Sequence, residues 1–269
     1  MSNFNCGFSI LCAFSSRCSY VMVMLLSTIP LVFADDTPAD KILVRTLENA
    51  SNPLSIVNYT DVRYQHHTGD IEDVNRLFIE GALVATPRLK IIYDLSYSQT
   101  DRSGEDEADF ETLGISPVYF GFDGKLSEKW YFRSNFGFDW TYDFGNDDKG
   151  IGSGADTIGP RIGIGLANLE SEVTAGVILQ HTQSYNGNSD IEATTLSITT
   201  VRQFRKAGWI SSNVVVIRDW EYNAWRSSFS FQAGYGFDNG KAIYVNGMAG
   251  IGRDRLFDVG AGLGLRFYY

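Results

Sequence analysis

The last thirteen residues, 257–269, read FDVGAGLGLRFYY. Taken at every second position, Phe257, Val259, Ala261, Leu263, Leu265, Phe267 and Tyr269 form one set; Asp258, Gly260, Gly262, Gly264, Arg266 and Tyr268 form the other. Side chains alternate sides along a strand, so one face is apolar and the other small or charged. A half-buried strand of a soluble sheet alternates in the same way. Seven apolar residues in step, ending on an aromatic at the final residue, fit a lipid-facing strand better. Such a strand needs roughly ten residues, with apolar side chains outward and aromatic rings at the interface.

Outward from that end, the alternation recurs. Trp130, Phe132, Phe136, Phe138, Trp140 and Tyr142 stand against Arg133, Asn135, Gly137, Asp139 and Thr141. Leu89, Ile91, Tyr93, Leu95 and Tyr97 stand against Lys90, Asp94 and Ser96. Ile162, Ile164 and Leu166 alternate with Arg161, Gly163 and Gly165, and Trp225, Phe229, Phe231, Ala233, Tyr235 and Phe237 with Arg226, Ser228, Ser230, Gln232 and Gly234. From Leu54 onward about twelve such segments follow one another, the first over 54–66 and a less regular one over 113–122. Long acidic, Gly-rich connections (99–110 and 143–157) alternate with tight turns such as Thr86-Pro87-Arg88, Asn168-Leu169-Glu170 and Asp238-Asn239-Gly240. A soluble sandwich has no reason for that alternation, whereas a barrel with both termini in the periplasm does. Lipid offers no hydrogen bonds, so a sheet crosses it only when closed. The expectation is an all-β fold over residues 54–269: a transmembrane antiparallel β-barrel of about 12 strands in the outer membrane, with Trp130, Trp140, Trp220, Trp225 and Tyr269 at the headgroups.

The N-terminal end differs. Ser19 to Phe33 is an apolar run, preceded by Arg17 and followed by Ala34 and Asp35-Asp36, the pattern of a secretory signal over residues 1–34. All three cysteines (Cys6, Cys12, Cys18) lie in that segment, so no disulfide framework stabilises the exported chain. Residues 35–53 read as a short helix or plug segment ahead of the barrel, or as a tail; Thr37-Pro38 opens it and Asn52-Pro53 stops it. A net charge of −10 argues against nucleic acid as a partner. The partners expected are outer-membrane lipid and lipopolysaccharide, the barrel-assembly machinery through the C-terminal strand, and a small-molecule solute.

No residue pattern supports a catalytic site, a metal site or a cofactor. His66 and His67 are adjacent, so in a strand they point apart, which is poor metal geometry; a position beside the first loop explains them. His181-Thr182-Gln183-Ser184-Tyr185-Asn186-Gly187 is similar to the H-x-S-N-G segment of outer-membrane phospholipase, but His and Ser three apart face opposite sides of a strand, beyond the hydrogen-bond reach that activation of a serine requires. The glycine-rich strings 150–154 and 260–264 lack the strand–turn–helix setting of a nucleotide site.

The functional signal is diffuse. Inward positions carry both signs: Arg63, Arg76, Glu80, Lys90, Asp94, Arg133, Asp139, Arg161, Arg226, Asp258 and Arg266. A charge inside a barrel needs water or a counter-charge. Either these residues line a water-filled pore, which the many inward glycines favour, or they pair into a plug. Small solutes, hydrophobic or aromatic ones among them, are the expected cargo; a lipid hydrolase at His181 and Ser184, or a structural or adhesive barrel using acidic loops, is the alternative.

Several segments resemble a bacterial outer-membrane family labelled neuromedin-U-like, related to putative transporters of the phenol meta-cleavage pathway. They are Asn49-Ala50-Ser51-Asn52-Pro53-Leu54, Ile162-Gly163-Ile164-Gly165-Leu166, the stretch from Gly176 through His181 to Ser184, Gly187-Asn188-Ser189-Asp190, the strand at Gly208-Trp209 and the glycine-rich end. The resemblance implies an outer-membrane barrel with an N-terminal helix and a transport role, and no catalytic residues. The chain departs from it in ending Tyr268-Tyr269.

Overall fold

The computed structural model describes residues 49–52, 55–69, 73–101, 104, 106–145, 149–204, 207–237 and 240–269. The signal segment 1–34 and the expected helix that starts near Thr37 lie outside the described residues.

Twelve strands follow in order: β1 (Tyr59–Thr68), β2 (Asp73–Thr86), β3 (Leu89–Thr100), β4 (Glu107–Lys125), β5 (Trp130–Asp143), β6 (Ala155–Asn168), β7 (Val173–Gly187), β8 (Glu192–Gln203), β9 (Gly208–Asp219), β10 (Ala224–Phe237), β11 (Lys241–Ile251) and β12 (Val259–Tyr268). Each pairs antiparallel with its neighbours in sequence, and β12 closes on β1. Closure leaves no edge strand, so every backbone ladder in the wall is satisfied within the protein.

The alternation read from the sequence sets the two faces. Ile162, Ile164, Val245, Leu263 and Leu265 are exposed, the last three on the neighbouring strands β11 and β12, while Asp61, Lys90, Arg133, Asn135 and Arg266 are buried. An exterior of large apolar side chains with polar groups inside inverts the soluble pattern and suits a lipid solvent. Aromatic side chains cluster along β3–β7 at the end away from Tyr269: Tyr97 meets Phe110 edge-on at 5.5 Å, Tyr142 meets Phe144 at 4.8 Å, and Trp140 Nε1 donates to Tyr185 Oη at 2.5 Å. At the end that carries the termini, Tyr93, Thr60 and Tyr269 join through hydroxyl contacts.

Several boundaries differ from the sequence reading. The first strand begins at Tyr59 instead of Leu54, because the chain before it turns into the barrel. β4 is longer than residues 113–122 and carries a bulge against β5 between Phe120 and Asp123; the extra residue there obscures the period of two. β3 and β4 extend into the stretch 99–110 read as a long loop. His66 and His67 lie in the last residues of β1, beside the first loop, as expected.

Candidate functional site

Strand alternation turns one set of side chains inside the barrel, and ion pairs across neighbouring strands organise them. Arg63 on β1 meets Glu80 on β2 at 3.0 Å. Arg76 on β2 reaches past β3 and donates from Nε and Nη2 to the two carboxylate oxygens of Glu111 on β4, each at 2.9 Å, with Ser98 of β3 also donating to Glu111. Arg133 on β5 meets Asp123 on β4 at 2.9 Å, Arg161 on β6 meets Asp139 on β5 at 3.0 Å, and Arg226 on β10 meets Asp219 on β9 at 3.1 Å. Asp94 faces Glu80 across β2 and β3 in register. Sequence reasoning missed Glu111, Asp123 and Asp219, because two of them lie near strand ends and the third sits beside a bulge.

At the terminal end the interior is filled. Arg266 on β12 donates to Asp61 on β1 from Nε and Nη2 at 2.9 and 2.7 Å, and Tyr244 on β11 donates to the other Asp61 oxygen at 2.6 Å. The rings of Tyr244, Tyr59 and Trp209 lie 5.1, 5.5 and 5.8 Å from the Arg266 guanidinium. Asp61 is 0% exposed and Arg266 3%. On another wall Phe120 is buried beneath Lys90 and Arg133, each 5.5 Å from its ring.

Between these walls runs the chain ahead of β1. Ser51 Oγ donates to Gln232 on β10 at 2.5 Å and accepts from Arg266 at 2.9 Å. Asn52 Nδ2 donates to Thr174 Oγ1 on β7 at 3.4 Å, and Lys90 Nζ on β3 donates to the Ser55 carbonyl at 2.7 Å. Since β3, β7 and β10 lie on different sides of the closed ring, this short segment crosses the bore. Asn52 is 1% exposed and Ser55 fully buried. The side chains that hold it come from strands far apart in sequence.

Asp258 lies one residue ahead of β12, its backbone still bonded to Thr68 on one side and Gly250 on the other, and its carboxylate pairs with Arg255. Two expectations are corrected here. Phe257, the neighbour of Asp258, is not on the lipid face. It stacks on His67 at 4.8 Å and, with Leu256, lines a small cavity beside Val215, Ile217 and Ser228. Phe257 is drawn inward by the His67 ring, while Leu256 at the rim of the cavity stays exposed. The inward glycines are not open space either. A Cβ at Gly264 would overlap the Tyr244 ring, and one at Gly234 the Trp209 ring; Gly163 gives its room to Asn135 and Gly114 to Asp94. Each such glycine faces a larger cross-strand side chain.

Further along the interior, some polar atoms have no hydrogen-bond partner among the described residues: Asp139 Oδ2, Asn135 Oδ1, Asn246 Oδ1 and Arg161 Nε. Buried polar atoms of this kind require water or a polar ligand. At the far end a polar hollow of about 530 Å³ is lined by Asp109, Asp143, Asp156 and Asn186, among others. His181 and Ser184 are bonded elsewhere and not to each other: His181 Nδ1 lies 3.1 Å from Thr194 Oγ1, and Ser184 Oγ accepts from the Ile191 amide.

A closed twelve-stranded barrel with an apolar exterior and a charged interior is the architecture of outer-membrane β-barrels, and solved structures of that kind superpose on it. An outer-membrane channel from Pseudomonas putida F1 does so with a TM-score of 0.61 at 10% identity, over 82% of this chain and 98% of that one. The NanC porin gives 0.54 at 13% identity, over 77% of this chain and 98% of its own. Outer membrane phospholipase A from Escherichia coli gives 0.51 at 12% identity, over 84% and 96%. No family model matches the sequence, and no curated protein does.

Proposed function

We propose that this protein is an outer-membrane channel or transporter for small solutes, shut in this state at its periplasmic end by the segment ahead of β1. The observation that carries the reading is the crossing of the bore by residues 49–52 and Ser55, held from β3, β7, β10 and β12. In outer-membrane barrels the end with short turns faces the periplasm, and β1 starts and β12 finishes at that end here. The side-chain hydrogen bonds described above net only about 0.5–1.5 kcal/mol each, or 1.5–3 where a charge takes part. A segment so held can leave without unfolding the wall. Lys90 and Arg266 hold the segment itself; beyond it Arg63, Arg76, Glu80, Asp94, Arg133, Asp139, Arg161 and Arg226 line the path with both signs of charge, and the unpartnered polar atoms supply places for water and polar solute groups. Phe257, Leu256, Val215 and Ile217 form an apolar stretch at the outer mouth, which favours solutes with a hydrophobic or aromatic part. The resemblance to neuromedin-U-like and phenol meta-pathway putative transporters supports the same reading, and the channel-like neighbours share its fold. The C-terminal strand ending in Phe267-Tyr268-Tyr269 is the segment offered to the assembly machinery.

The test is single-channel conductance in a planar bilayer, with the exported chain and with a version lacking residues 35–53. Low conductance that rises on deletion is expected. A barrel that folds, as its heat-shifted gel mobility would show, yet conducts in neither form defeats the proposal.

A further inference from the structure

Six interior arginines, Arg63, Arg76, Arg133, Arg161, Arg226 and Arg266, each have a carboxylate partner. Arg218 breaks that pattern. On β9 the alternate residues Val215 and Ile217 line an interior cavity with Arg226, so Arg218 lies on the opposite, outer face. Its guanidinium donates to Asn223 Oδ1 and sits 5.1 Å from the Trp220 ring and 5.3 Å from the Trp225 ring. Both indoles are exposed. Among the described residues no carboxylate lies within ion-pair distance of it.

The register places Arg218 in a single row across four strands. His181 on β7 is opposite Thr194 on β8, Thr194 is opposite Arg218 on β9, and Arg218 is opposite Trp225 on β10. The row is internally bonded: Thr194 Oγ1 lies 3.1 Å from His181 Nδ1 and accepts from Trp220 Nε1 at 3.0 Å. The next row toward the terminal end is Leu179, Leu196 and Val216, all apolar. The next row the other way is Gln183 and Glu192, where the connections begin. The polar row therefore marks the upper edge of the lipid-facing belt, the depth of the headgroups.

A cation at that depth with no protein carboxylate needs an anion from its surroundings. Two indole rings hold the guanidinium fork while leaving N–H groups free to form parallel bonds to a planar or tetrahedral anion. We infer that Arg218, with His181 and the flanking indoles, binds a phosphate group of a phosphorylated glycolipid in the outer leaflet. The lipid is the source because the row faces the bilayer, and the Leu179–Leu196–Val216 row directly beneath it suits acyl chains. This site is on the outer wall and does not depend on whether the bore conducts.

The exported chain, refolded in detergent, is titrated with bisphosphorylated lipid A and with the same lipid stripped of phosphate, following tryptophan fluorescence. Saturable binding to the phosphorylated lipid alone is expected. Arg218→Gln should weaken it about tenfold, Arg218→Lys should weaken it less, and Arg88→Gln, at the exposed turn between β2 and β3, should match the parent. Equal affinity for the stripped lipid, or undiminished binding in Arg218→Gln, overturns the inference. Competition by millimolar inorganic phosphate overturns the assignment to lipid. Should Arg218→Gln lose its heat-shifted mobility, Arg218→Lys together with His181→Gln decides: an unchanged affinity in both sinks the site.

Discussion

Arg266 and Asp61 are direct register partners across the seam where the last strand meets the first, and Arg266 donates two hydrogen bonds to one oxygen of the Asp61 carboxylate. Tyr244 satisfies the other oxygen. The ion pair is thus fully bonded, buried, and placed at the one strand pairing that chain continuity does not enforce.

Breaking that pair from one side should therefore be severe. Arg266→Gln leaves Asp61 charged and buried, and Asp61→Asn does the reverse; each should cost about 3–5 kcal/mol. The double variant should lose less than the sum, since neither charge is then left alone. Denaturant unfolding in lipid, followed by gel mobility, measures all three.

The glycines opposite large rings should not accept a methyl group. Gly264→Ala pushes a Cβ into Tyr244, and Gly234→Ala pushes one into Trp209. Overpacking of this kind costs about 1–3 kcal/mol. Gly247, where a Cβ meets nothing, should take alanine without loss. Unfolding midpoints of the three variants decide the matter, and equal midpoints would disprove the packing argument.

In a chain freed of residues 35–53, Asp139→Asn leaves Arg161 without its carboxylate. Ion selectivity in pores follows the charges on the wall. The reversal potential in a salt gradient should move toward anions, by about two- to threefold in permeability ratio for one charge. Movement toward cations would show that Asp139 does not face the path.

The exposed ion pair between Lys129 and Glu170, 2.7 Å apart on two adjacent turns, should matter little. The hydrogen bond to Glu170 raises the Lys129 pKa above the ordinary lysine range. Any contribution is then fully present below that range and fades only as pH rises through the raised value. Both side chains are bathed in water, so Lys129→Gln should leave the unfolding midpoint unchanged at neutral pH. A clear drop would mean the turns are coupled more tightly than their exposure implies.

The barrel was legible because its wall obeys a local rule. In Val259 to Phe267 and in Trp130 to Tyr142, the period of two states which side chain meets lipid, whatever the distant chain does. The same period marks Arg63, Arg161 and Arg266 as inward, and closure follows from the absence of hydrogen bonds in hydrocarbon. The period fails where the chain leaves it: at the bulge near Phe120, at Phe257 ahead of β12, and along residues 49–52.

What only the tertiary structure decided is who meets whom. Arg76 chooses Glu111 two strands away, Ser51 lies between Gln232 and Arg266, and Tyr244 fills the space that Gly264 leaves. His181, Thr194, Arg218 and Trp225 come from four strands and share a row only through register. The physical reason is that a strand's alternation depends on its own residues, whereas register and closure are set by summed ladder pairing and by side chains competing for one interior.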